Sequence, residues 1–308
     1  MRNLLAIADL ERSDIERITD RAEGFAEVGR RDIKKVPTLR GRTIINLFYE
    51  SSTRTSSSFE LAAKRLSADV VSVKASGSSV DKGESLKDTI AVLSAYGPEA
   101  IVIRSPHAGA AELVARWSEA AVVNAGDGKH EHPSQALLDV YTLRQRLGSL
   151  EGKRIWIVGD VLHSRVARSN VLAFGAMGAE VTVCGPPTLI PRGIDCDTSS
   201  DIAAIGAADV VYVLRMQQER MEASYVPSLR EYAERWAITP ERLRPGQKVM
   251  HPGPMNRGVE IDPRVADAVD SLVELQVRAG LVTRMAVLYD LLTSGPVPVP
   301  SPEPAEVA

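Results

Sequence analysis

Short apolar runs alternate along this chain with longer stretches in which apolar residues recur every three or four positions. In the first half, residues 43–49, 69–74, 100–104 and 121–124 predict short buried strands. Helical spacing at 59–66, 85–96 and 110–120 predicts helices between them. Residues 133–147 begin with a proline, keep helical apolar spacing and are followed by a glycine, which predicts a helix leading out of a first domain. A second unit opens with a strand at 154–158 that ends in a tight turn at Gly159-Asp160, and 179–184, 209–214 and 247–251 predict its later strands. Residues 272–292 close the pattern with one or two helices, expected to pack back toward the first domain. Strand and helix in alternation predict the α/β class, with two domains that are each a parallel β-sheet flanked by helices. The polar turn after Leu147 sets the expected division at 1–147 and 148–294. Residues 295–308 are too proline-rich and polar to fold alone and are expected to be a disordered tail.

At 308 residues the chain is long enough for two domains and a large core. Its 37 Lys and Arg nearly balance 40 Asp and Glu, so no global field argues for nucleic acid or a membrane surface. The first residues lack the small-residue cleavage site of a leader, and no apolar run approaches the ~20 residues of a membrane span, so a soluble, cytoplasmic protein is expected. Cys184 and Cys196 have no metal-site spacing. A disulfide between them and two incidental thiols of a cytosolic enzyme are both open, with the second preferred.

The densest chemistry lies just after the first strand. Between Glu50 and Phe59 stand seven hydroxyl residues around a single arginine, Arg54, with a helix expected to open at Phe59. The first turn of a helix carries unsatisfied N–H groups and the positive end of the peptide dipole, so it favours an anion. Ser52, Thr53, Thr55 and Ser56 add hydroxyl donors, and the guanidinium of Arg54 matches phosphate oxygens. A helix cap needs only one hydroxyl, so a phosphate clamp is the better reading. Arg104, closing the third strand, and Gln135, beside a helix start, are its natural supplements.

Two other readings weaken on spacing. The histidines of His130-Glu131-His132 stand two residues apart on an expected loop, not four apart on a helix, which argues against a metal site. The turn after residue 158 follows a strand, where an open sheet places ligands, but it lacks GxGxxG, which argues against a dinucleotide.

Glu50-Ser-Ser-Thr-Arg-Thr55 resembles the carbamoyl phosphate signature of the aspartate and ornithine carbamoyltransferase family, and further motifs recur in the family's order from about Leu47 to Met285. The resemblance makes residues 1–147 the carbamoyl phosphate-binding domain and 148–294 the amino-acid-binding domain. It implies that Ser52, Thr53, Arg54 and Thr55 cradle the phosphate, that Thr55, Arg104 and His132 polarise the carbonyl, and that Gln135 contacts the carbamoyl amide. Preorganised donors of that kind are worth about 3–4 kcal/mol each where charge develops on oxygen. It also sets the backbone carbonyls of Gly253 and Pro254 against the carbamoyl group. The glycine- and serine-rich stretch 75–89 resembles the family's mobile loop, whose Ser78 and Lys82 would reach the active site of a neighbouring subunit, implying a homotrimer.

For the amine substrate, the resemblance assigns Arg165, Arg215 and Gln217, with Lys82. An arginine fork suits a carboxylate, whereas ornithine's ammonium would call for acids. The ornithine-specific His-Cys-Leu-Pro is here His251-Pro252-Gly253-Pro254, and no Ser-Met-Gly occurs. The aspartate-specific reading follows: transfer of a carbamoyl group to the α-amino group of L-aspartate, a step in pyrimidine synthesis, with no cofactor and no metal. Arg284-Met285-Ala286 is read as structural. Regulatory chains or a dihydroorotase remain open as partners. The rivals are another amine acceptor and a catalytically silent assembly subunit, and the second is disfavoured because Arg54, Lys82, His132 and Arg215 are all present.

Overall fold

The computed structural model describes residues 1–74, 83–221 and 225–293. Ser78, Lys82 and the expected tail therefore lie outside the described residues. After α1 (Arg12–Gly29), the first half runs β1 (Thr43–Phe48), α2 (Thr53–Arg65), β2 (Asp69–Lys74), α3 (Leu86–Ser94), β3 (Ala100–Ser105), α4 (Ala110–Trp117), β4 (Ala121–Asp127) and α5 (Pro133–Leu147). The second half follows with β5 (Arg154–Val158), α6 (Arg165–Ala176), β6 (Glu180–Cys184), β7 (Asp197–Ser199), β8 (Val210–Val213), α7 (Leu229–Trp236), β9 (Lys248–Met250), α8 (Pro263–Ala266) and α9 (Val273–Thr293). Every strand pairing is parallel, in the orders β2-β1-β3-β4 and β7-β6-β5-β8-β9.

That order fixes where ligands can go. In the first sheet the chain moves from β1 outward to β2 and then crosses to β3 on the other side, so the direction of winding reverses between β1 and β3. The second sheet reverses in the same way between β5 and β8. A crevice opens at the carboxyl ends of the strands at such a reversal, because the helices on either side diverge. The loop after β1 carries Glu50 and Ser52, and Arg104 stands at the carboxyl end of β3. The loops after β5 and β8 lead to Arg165, Arg215 and Gln217.

The central strands are continuous Ile/Val-rich runs because helices cover both faces. One apolar cluster crosses from the first half to the second, joining Leu137 of α5, Ile157 of β5, Tyr212 of β8 and Met285 of α9. α9 packs on α1, α2 and α5, so the chain returns to the first domain as expected. Buried Asp290 of α9 pins that return by pairing with Arg17 (3.2 Å) and Arg21 of α1.

Two expectations need correction, and two open alternatives are settled. α2 opens at Thr53 rather than Phe59, so the hydroxyl cluster forms its first turns instead of preceding it. β2 is a largely exposed edge strand rather than a buried one, with Val71 44% exposed, since no strand among the described residues pairs with its outer edge. The closing segment is a single helix. Cys184 and Cys196 are free thiols, so the disulfide alternative falls. β7 escaped notice because it is three polar residues long. Among the described residues no cluster of His, Cys, Asp or Glu could hold a metal ion, and no helix is long and apolar enough to cross a membrane.

Candidate active site

The two crevices face one another across Glu50. On the first-domain side, Ser52 is the N-cap of α2, but its side chain makes no cap bond to that helix. Its hydroxyl instead accepts from Arg104 Nη1 at 3.0 Å, and the same nitrogen lies 3.5 Å from Thr55 Oγ1. Arg104 Nε donates to Glu50 Oε2 at 3.1 Å. His132 is the N-cap of α5 and likewise leaves its own helix uncapped. Its backbone N–H is tied to Ser169 Oγ of α6 at 2.9 Å, and its ring Nδ1 lies 3.4 Å from Ser134 Oγ. Two helix starts, each presenting the positive end of its dipole, thus converge beside Arg104.

The second domain contributes more cations. Arg165, the first residue of α6, donates to Glu50 Oε2 at 2.6 Å and to the Gly128 carbonyl at 3.2 Å. Gly126 has to be glycine here: its φ is +118°, and a Cβ would come within 2.9 Å of the Arg165 guanidinium. Arg220 bonds the carbonyls of Gly128 and His163 and stands 3.6 Å from Glu50 Oε1. Gln217 is held by its backbone N–H on Asp160 Oδ2 (3.1 Å), and Asp160 Oδ1 is 2.8 Å from His163 Nδ1.

Gly253 lies against the Arg54 guanidinium; with φ +63°, a Cβ there would sit 2.7 Å from Cζ and Nη1. Its N–H donates to His251 Nδ1 at 2.8 Å, which leaves the Nε2 proton for Glu260 at 3.2 Å.

The field of these cations is legible in the ionisable groups. Burial raises the Glu50 carboxyl, but Arg165, Arg104 and Arg220 together outweigh it and hold Glu50 below the usual carboxylate range. Burial, then the charge of Arg165, lowers the Arg104 guanidinium to about 10 against the opposing pull of Glu50, so it stays charged at neutral pH. His132 is pushed well below the ordinary imidazole range by burial first, then by Arg104 and Arg165. His251 is lowered by burial, with Glu260 opposing and the charges of Arg54 and Arg215 adding to the effect. The assembly can bind a phosphate dianion and a dicarboxylate, and it can donate a hydrogen bond from a neutral imidazole.

Several of the expected residues on the described part of the chain come together. Ser52, Thr55 and Arg104 are in direct contact, Arg54 touches Gly253, and His132 and Gln135 open α5. Thr53 opens α2, and Pro254 follows Gly253 in the loop against Arg54. Arg165 joins the first-domain group through Glu50, and Gln217 sits on the Asp160 turn. Three participants went unassigned in the sequence: Glu50, quoted only within its motif, Arg220 and Asp160. The signal for Arg220 was its place three residues after Gln217, at the mouth of the same crevice.

The family model for the aspartate/ornithine carbamoyltransferase carbamoyl-P binding domain matches residues 2–145, and that for the Asp/Orn binding domain matches residues 151–291. The chain belongs to the aspartate/ornithine carbamoyltransferase family. It is 54% identical over 303 residues to an aspartate carbamoyltransferase catalytic subunit from Pelotomaculum thermopropionicum, covering 96% of this chain and 97% of that one. It is 55% identical over 305 residues to the subunit of the same description from Mycobacterium tuberculosis, covering 94% and 95%. Among solved structures it is similar to aspartate transcarbamoylase from Trypanosoma cruzi in complex with aspartate and phosphate, with TM-score 0.85, 30% identity and coverage of 94% and 97%. Ornithine carbamoyltransferase from Pyrococcus furiosus shares the fold equally well, with TM-score 0.85, 28% identity and coverage of 96% and 98%. The family's fold thus holds both acceptor types, and the choice between them rests on the residues of the second crevice.

Proposed function

We propose that this chain transfers the carbamoyl group of carbamoyl phosphate to the α-amino group of L-aspartate, giving N-carbamoyl-L-aspartate and phosphate. The observation that carries the reading is the convergence of Arg104 from the first half and Arg165 and Arg220 from the second on Glu50, which supports two joined crevices. The Trypanosoma cruzi enzyme has been solved with carbamoyl phosphate and with carbamoyl aspartate and phosphate, which supports the same reaction here.

In the first crevice, the start of α2 with Ser52, Thr53, Arg54 and Thr55 holds the phosphate. Arg104 and Thr55 face the carbonyl oxygen. His132, kept neutral by its burial, lies with Nδ1 3.4 Å from the Ser134 hydroxyl and donates its ring N–H to the same oxygen. The amine nitrogen forms a bond to the carbonyl carbon, negative charge gathers on the oxygen, and the bond to phosphate oxygen then breaks. The leaving phosphate, released beside the amine, takes the proton that the amine gives up. Catalysis is orientation and electrostatics. In the second crevice, Arg165, Arg215 and Gln217 hold the carboxylates of aspartate.

Residues 1–147 serve as the phosphate half and 148–294 as the aspartate half of a homotrimer in the cytoplasm. Lys82 of each chain completes a neighbour's site, and the exposed edge strand β2 suits an interface. N-(phosphonacetyl)-L-aspartate, which spans both kinds of group in one molecule, tests the reading by calorimetric titration. Tight binding that weakens in both Arg54→Ala and Arg215→Ala is expected. Binding that survives both substitutions would remove the support for two joined pockets.

A further inference from the structure

Asp139 lies wholly inside the protein on α5, one helical turn beyond Gln135, and is surrounded by donors from four elements. Its Oδ1 accepts from Gln135 Nε2 (3.1 Å) and from Gln276 Nε2 of α9 (2.7 Å). Its Oδ2 accepts from the Tyr212 hydroxyl of β8 (2.6 Å) and from Asn170 Nδ2 of α6 (3.1 Å). The direction of these bonds is fixed by chemistry. Gln276 Oε1 receives the backbone N–H of His251 at 2.9 Å, and a backbone N–H can only donate. The other end of that amide is therefore its NH2, and Asp139 Oδ1 is an acceptor.

A carboxylate that accepts on both oxygens compels Gln135 to turn its own NH2 toward Asp139. The Gln135 carbonyl oxygen is then the end left for the site. Through Gln276, the same carboxylate also anchors the backbone at His251, two residues before Gly253. We propose that Asp139 is the positioning residue that makes this site read the amino group of carbamoyl phosphate. It presents the Gln135 oxygen, and steadies the Gly253 and Pro254 carbonyls, as acceptors for the two N–H bonds of that group. Acetyl phosphate has the same phosphate and carbonyl but a methyl group there, so it can use the clamp and gains nothing from these acceptors. Burial pushes the Asp139 carboxyl up to about 6 against the pull of its four donors, and it remains largely ionised at pH 7.

The inference rests on carbamoyl phosphate as the substrate. Wild-type turnover of carbamoyl phosphate tests that reading, and the preference between the two acyl phosphates tests the inference. In Asp139→Asn two donors must face an NH2, and the Gln135 amide loses its fixed direction. The KM for carbamoyl phosphate should rise about tenfold, the factor that goes with loss of one ordinary hydrogen bond. The inhibition constant of acetyl phosphate, measured as a competitor, should stay within twofold, so the preference collapses. Tyr212→Phe, which removes a donor from Oδ2 alone, should keep the preference. If Asp139→Asn does not fold by circular dichroism, Gln276→Met decides the matter, because it cuts the tie to His251 and should lower the preference at least threefold. An unchanged preference in the folded variant, or equal weakening of both ligands, would overturn the proposal.

Discussion

Gly253→Ala is the smallest change that should disable the site, and its magnitude follows from the geometry. The added Cβ would lie 2.7 Å from Cζ and Nη1 of Arg54 and 2.9 Å from Nη2. Ordinary contact for such atoms is about 3.5–4.0 Å, so the guanidinium has to retreat by roughly 1 Å. The end of a flexible side chain can do so, and the cost to folding is therefore mainly the strain of alanine at φ +63°, about 1–2 kcal/mol. A retreat of about 1 Å by the phosphate clamp is another matter, because misplacement on that scale can cost about 100-fold in rate. The expected variant is folded, melts a few degrees lower, and has kcat reduced about 100-fold with the KM for aspartate little changed. Steady-state kinetics and a thermal melt measure both. The steric effect acts through one guanidinium, so adding Gly253→Ala to Arg54→Ala should bring little further loss. A folded Gly253→Ala enzyme within threefold of wild-type kcat would refute the placement of Arg54 at the reacting phosphate.

Further outcomes are expected. Arg215→Ala should weaken aspartate and its amine-less analogue succinate in parallel while leaving carbamoyl phosphate affinity near wild type; calorimetry in the order carbamoyl phosphate, then succinate, separates the two, and the reverse pattern would mean the pockets are exchanged. Inactive Lys82→Ala and Arg54→Ala chains, mixed under conditions of subunit exchange verified by mass, should regain activity, and continued inactivity would count against a shared site. The buried imidazole of His132 stays neutral where an unfolded one takes up a proton near pH 6.5, so this contribution to stability is present above that pH and lost as pH falls below it. Urea unfolding at pH 7.5 and 5.5 should accordingly show a smaller difference for His132→Asn than for wild type, and an equal difference would contradict the assigned neutrality.

Much of this was legible in the residues, for identifiable reasons. Continuous Ile/Val runs mark β1, β3, β5 and β8 because strands covered on both faces tolerate little else. Pro133 and Gly148 bracket α5 because proline suits a first helical turn and glycine the residue after the last. The phosphate clamp was legible because seven hydroxyls around an arginine exceed what one cap requires. The start of α2 was misplaced because Ser and Thr are weak helix formers, and only the anion-facing geometry accounts for five residues of that kind inside a helix. β2 was misjudged since its Val residues say nothing of whether a neighbour in the chain covers them. Glu50, Asp139 and Asp160 escaped assignment because their meaning is wholly tertiary. Each is one carboxylate among 40 acids until the fold sets arginines or amides around it.

The central claim is the identity of the acceptor, and one product analysis addresses it. The purified chain is incubated with carbamoyl phosphate and, in separate reactions, L-aspartate, L-ornithine and putrescine, with phosphate release and product mass followed together. The expected result is N-carbamoyl-L-aspartate formed in equal amount to released phosphate, with the other two amines unreacted above the rate of spontaneous breakdown. Citrulline or carbamoylputrescine as the main product, or no product with aspartate, would contradict the account.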